Sequence, residues 1–82
     1  MAKHQIGNHI RRLRFEAGEM TQKDLAEKVG VTRQTIVAIE AAKYSPTLEL
    51  AFQIARVFGR PLEAVFFYGE GEAGLGPFGV KR

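Results

Sequence analysis

The chain has 82 residues, enough for one domain with a single small core. Its net charge of +3 is unevenly laid out, with eight basic against five acidic residues through Lys43 and four against four beyond, which points to a polyanion-facing surface in the first half. The absence of cysteine excludes disulfides, thiolate metal sites and a cysteine nucleophile; no apolar run approaches the ~18–20 residues of a membrane span, and "MAKHQIGNHIRRLR" lacks the apolar segment of a secretory leader, so a cytoplasmic protein is expected.

Ile6, Ile10, Leu13 and Ala17 recur at helical spacing and define a first helix, which Gly18 ends. "MTQKDLAEKVG" carries a second, with Thr21 as N-cap, Asp24 completing an aspartate version of the capping box, and Gly30 as the stop. Thr32 caps a third helix that runs to about Ala41 or Ala42. Thr47 caps a fourth through Phe58, with Gly59 behind it, and Pro61 opens a short fifth helix over roughly residues 62–67. The fourth helix is apolar around more than half its circumference, so it is central to the core or shared with a partner. No stretch alternates apolar and polar residues for long enough to define a strand. Residues 69–82 hold five glycines and a proline and read as a flexible tail behind a domain spanning 1–68.

Residues 22–40 form a unit: a two-turn helix, a glycine corner and a second helix. Ala26 is small where the helices cross, Gly30 permits the positive φ at the corner, and Val31, Ile36 and Ile39 hold the second helix on the first. That is the spacing of a helix-turn-helix, which offers its second helix to the DNA major groove. A plain helical corner would share the spacing, but the outward face distinguishes the two. Arg33, Gln34, Val37, Ala38 and Ala41 span an arc of roughly 140° opposite Ile36 and Ile39. Arg suits guanine O6 and N7, Gln suits adenine N6 and N7, and Val37 or Ala38 can meet a thymine methyl. Thr21 and Gln22 lie at the N-terminus of the second helix, where amides and the helix dipole favour a phosphate. Arg11 is the expected phosphate contact of the first helix.

"TQKDLAEKVGVTRQTIVAIEAAKYSPTLELAFQIARVFGRPLEAVF" resembles the Cro/repressor-type (Xre-like) helix-turn-helix family of bacterial and phage transcription regulators. The resemblance runs from about Ile6 to Phe66. It implies an all-α, compact five-helix, lambda-repressor-like domain that binds operator DNA, usually as a homodimer, without catalysis. On the family pattern Gln22 contacts the DNA backbone, Arg33, Gln34 and Thr35 approach the groove, Ala38 takes another base-facing position and Lys43 falls in a loop near phosphate. The pattern also implies a partly buried ion pair between Arg14 and Glu40.

Two departures stand out. Family members often carry Asn-Gly after the position of Glu40, where this chain has Ala41 and Ala42. Losing the glycine removes the easy left-handed cap, at about 1 kcal/mol, or lets the helix run on. Ala38 replaces a polar reader, so base discrimination is expected to lean on Arg33 and Gln34.

Other motifs carry little. Gly69 to Gly74 matches G-x-G-x-x-G, but no strand precedes it, and Glu70 and Glu72 would repel phosphate. His4 and His9 lack companions for a metal set, and Ser45 before Pro46 fits a turn better than a nucleophile. Phe15, Phe67 and Tyr68 fall outside the expected core and suggest docking against each other, the tail or a second subunit. The reading is a small DNA-binding transcription regulator, a repressor, on double-stranded DNA, homodimeric, with no metal, cofactor, membrane or small-molecule ligand indicated. Its rival is a protein-interaction or antitoxin-like module in which DNA binding is secondary.

Overall fold

The computed structural model describes residues 6–69. The elements are β1 (Ile6–Asn8), α1 (Ile10–Glu16), α2 (Gln22–Val29), α3 (Arg33–Glu40), α4 (Leu48–Phe58), α5 (Leu62–Val65) and β2 (Phe66–Tyr68). Each of the three middle helices starts at a threonine whose hydroxyl accepts the amide three residues on: Thr21 from Asp24, Thr32 from Thr35 and Thr47 from Leu50. The capping box of α2 is complete, because the Asp24 carboxylate also accepts the Thr21 amide at 3.2 Å. Gly30 and Gly59 close α2 and α4 in the left-handed region, which costs a residue without Cβ nothing in sterics.

The core gathers Ile10 and Leu13 of α1, Leu25 and Ala26 of α2, Ile36 and Ile39 of α3, Leu50, Ala51, Ile54 and Ala55 of α4, Val65 and Phe66. Ala26 and Ala55 are the small residues that let helices approach. Each fully buried Leu or Ile contributes roughly 1.5–3 kcal/mol of apolar transfer. A single residue such as Ile54 is therefore a sizeable fraction of a small domain's net stability.

The two ends of the described chain differ from expectation. Ile6 is not in the first helix: residues 6–8 run antiparallel to β2, with Ile6 opposite Tyr68, Gly7 opposite Phe67 and Asn8 opposite Phe66. The fifth helix stops at Val65 rather than near residue 67, and Phe66 turns extended at φ −121°, ψ 149°. Ala17 is exposed, so the stripe of the first helix is Ile10 and Leu13 alone. Aromatic residues favour extended backbone, but three-residue strands are too short to show alternation. Gly7 leaves room for the Phe67 ring, whose far edge would have to move if a Cβ stood there. His9 extends the junction by donating its amide to the Val65 carbonyl at 2.8 Å and setting its ring 5.0 Å from that of Phe67. The tail expected at 69–82, with its glycine motif, lies outside the described residues from 70 onward, as does His4.

Candidate nucleic-acid interface

The candidate surface is assembled by α1, α2 and α3. Within α3, Ile36 and Ile39 are buried while Arg33, Gln34 and Val37 are exposed; Thr35 and Ala38 are half-buried. The Thr35 hydroxyl lies 3.0 Å from that of Thr32, inside the cap. This pairing fixes the start of α3 and so the direction in which Arg33 and Gln34 project.

Beside this face a cleft of about 630 Å³ opens, lined among others by Arg11, Phe15, Thr21, Gln22, Lys23 and Arg33. Among the described residues Arg11 and Arg33 have no carboxylate partner, and Lys23 has only an exposed contact of 3.9 Å to Glu27. The cations therefore keep most of their field toward solvent. Thr21 is exposed at the α2 N-terminus, where the Asp24 carboxyl is held below its usual range by the Thr21 amide first and its hydroxyl second. Lys43 is exposed just past α3.

Behind the cleft, three elements are tied through one carboxylate. Arg14 Nε and Nη2 donate to Glu40 Oε2 and Oε1 at 2.6 and 3.2 Å, a two-pronged pair with side chains only 15% and 11% exposed. Arg14 Nη1 donates to the Met20 carbonyl at 2.8 Å, which anchors the α1–α2 turn. Gln22 Nε2 donates to Glu40 Oε1 at 3.3 Å. Gln22 is thus held in place by α3, and the α2 N-terminus and α3 keep a fixed relation. Charged hydrogen bonds with planar guanidinium geometry suit that task.

Asn8 is a positioning residue that the sequence reading passed over. Its Nδ2 donates to the Ile39 carbonyl at 2.8 Å and its Oδ1 accepts the Ile10 amide at 3.1 Å. One side chain thereby satisfies the first amide of α1, ahead of the N-cap residue His9, and holds the end of α3. Asn8 lies one residue before the N-cap His9, so it carries no ordinary N-cap signal, and its contact to Ile39 spans 31 residues.

The end of α3 answers the question raised by Ala41 and Ala42. The helix does not run on. Ala42 takes φ +61°, its amide donates to the Ile39 carbonyl at 3.0 Å, and the Lys43 amide donates to the Ala38 carbonyl at 2.9 Å. This is a Schellman closure with alanine where glycine is easiest.

The profile of the helix-turn-helix family matches residues 10–65, from the start of α1 to the end of α5. The chain belongs to the Xre-like helix-turn-helix family. Among its relatives in this family is a protein of Methanocaldococcus jannaschii, 57% identical over 53 residues, which are 65% of this chain and 80% of that protein. Another, from Archaeoglobus fulgidus, is 51% identical over 63 residues, 77% of this chain and 89% of its own. Both are named as uncharacterized HTH-type transcriptional regulators. A Bacteroides fragilis crystal structure shares the helix-turn-helix fold with a TM-score of 0.66 at 23% identity, covering 74% of this chain and 97% of that one.

Proposed function

We propose that this helix-turn-helix protein is a DNA-binding transcription regulator, a cytoplasmic repressor that binds operator DNA as a homodimer. Arg33 and Gln34 are its principal base readers, and Val37 and Ala38 are apolar fillers against thymine methyls. Thr35, whose hydroxyl lies against that of Thr32 at the helix start, also approaches the groove. Thr21, Gln22, Arg11 and Lys43 contact phosphates, which position the protein without carrying sequence information. The observation that carries this reading is the exposed Arg33–Gln34–Val37 face on a helix whose start is capped and whose back is pinned through Glu40. Two copies reading half-sites about one turn (~34 Å) apart would double a small interface.

The test is a pair of mutants on duplexes selected from a random-sequence pool. Arg33→Ala is expected to cost about 1–3 kcal/mol on the selected duplex and to relax preference at one base pair. Lys43→Ala is expected to weaken selected and unrelated duplexes alike and to make the salt dependence shallower. If Arg33→Ala weakens every sequence equally, Arg33 is a backbone contact and the assignment of the readers is wrong. No preference for any sequence in the wild type would instead favour the protein-interaction reading.

A further inference from the structure

Phe15 is 67% exposed on α1, on the side away from Ile10 and Leu13. Isolated exposed apolar residues are ordinary on protein surfaces, so exposure alone means little. The placement of this ring is more informative. It lines the cleft that contains Arg11, Thr21, Lys23 and Arg33, and also a second cleft of about 750 Å³ that reaches past Arg12 to Val37 and Ala41 of α3. Phe15 therefore stands where two basic clefts meet, between the start of α2 and the outward side of α3. Among the described residues, the other exposed large apolar side chains outside α3 are Tyr44, Leu48, Phe52 and Tyr68, and none of them lines either cleft.

We propose that Phe15 is an apolar contact within the DNA interface, its ring lying against the deoxyribose face of a nucleotide whose flanking phosphates meet Arg11 and the start of α2. The inference rests on the DNA-binding reading above. Its occupant follows from charge: Arg11 and Arg33 line these clefts without a carboxylate partner among the described residues, Arg12 and Lys23 have only exposed 3.9 Å contacts to Glu16 and Glu27, and the acidic lining is Glu19 and the Arg14-paired Glu40. The net positive charge around the ring suits a surface that alternates anionic groups with carbon–hydrogen faces, as a sugar–phosphate backbone does. The contact supplies affinity by burying apolar surface. It displaces no counterions, and it is indifferent to base sequence, since every nucleotide offers the same sugar.

This chemistry gives the contact a signature that a cation cannot imitate. Binding of the full chain is measured to a selected duplex and an unrelated duplex of equal length across a salt series, for the wild type, Phe15→Ala, Phe15→Leu and Arg11→Ala. Phe15→Ala is expected to weaken both duplexes by about tenfold at every salt concentration, leaving the slope of log K against log salt unchanged. Phe15→Leu is expected to retain most of the affinity. Arg11→Ala is expected to flatten the slope. Equal affinities for Phe15→Ala and the wild type, with unchanged melting temperature, would overturn the inference while leaving the DNA reading intact. A Phe15→Ala protein that loses self-association in sedimentation would overturn it too, since the ring would then be a subunit contact. Failure of the wild type to bind any duplex would remove both readings, and it is seen before any variant is compared.

Discussion

Ala42 and Glu40 sit two residues apart at the end of α3, and they put opposite signs on its stability. A left-handed alanine pays in crowding between its Cβ and its own backbone, which glycine avoids. Ala42→Gly is expected to stabilise the domain by about 1 kcal/mol, read as a higher denaturant midpoint at unchanged m-value. Glycine's greater freedom in the unfolded chain offsets part of this gain, so an unchanged or lower midpoint would mean that strain at Ala42 is negligible. Glu40 accepts from Arg14 twice and from Gln22 once. Glu40→Ala strands a largely buried guanidinium and is expected to cost about 3 kcal/mol, with a matching fall in melting temperature. Glu40→Gln, which keeps an acceptor, should fall between. A Glu40→Ala protein that melts like the wild type would show that the pair contributes nothing net.

At the scale of elements, the middle helices were readable because their signals are local. Thr21, Thr32 and Thr47 sit at their caps and Gly30 and Gly59 at their stops, each within four residues of the group it satisfies. The α2 box also makes a pH prediction. Asp24 has a folded-state pKa below its unfolded value, so its charge stabilises the fold above the ordinary aspartate value. That contribution disappears as pH falls through the folded pKa, below about pH 4. Thermal melts of the wild type and Asp24→Ala are expected to differ at neutral pH and to converge in that acid range. A gap that persists in acid would assign the effect to the neutral hydrogen bonds of the box. The β1–β2 ribbon was not readable, because its partners lie some sixty residues apart and each strand is three residues long. Gly7 can be understood only with Phe67 in view.

For the whole molecule, assembly turns on α4. Its inner side carries Leu50, Ala51, Ile54 and Ala55, but Leu48 and Phe52, one turn apart, are 67% and 49% exposed. The apolar breadth of this helix is therefore not absorbed by the core of one chain. Sedimentation is expected to show a dimer, and Phe52→Glu to shift it toward monomer without loss of helical signal, since the position is on the surface. A wild-type protein that stays monomeric and binds isolated half-sites without cooperativity would reject the dimer.

What the sequence determined by itself is what depends on neighbours along the chain: the presence of five helices, the threonine caps of α2, α3 and α4, the glycine stops of α2 and α4, and the outward placing of Arg33, Gln34 and Val37 by the 3.6-residue repeat. The capped start of α3 belongs to this class, as does the buried pair Ile36 and Ile39. Tertiary structure decided what depends on residues distant in sequence. It paired residues 6–8 with residues 66–68 in a ribbon, turned Asn8 into a clamp on the Ile39 carbonyl, and joined Gln22 to the Arg14–Glu40 pair. It also left Phe15 facing outward between two basic clefts. The division has a physical basis. Helical hydrogen bonds and caps span three or four residues and leave a periodic trace. A hydrogen bond across thirty residues leaves none, because either partner alone looks like any surface polar residue until the fold brings the two together.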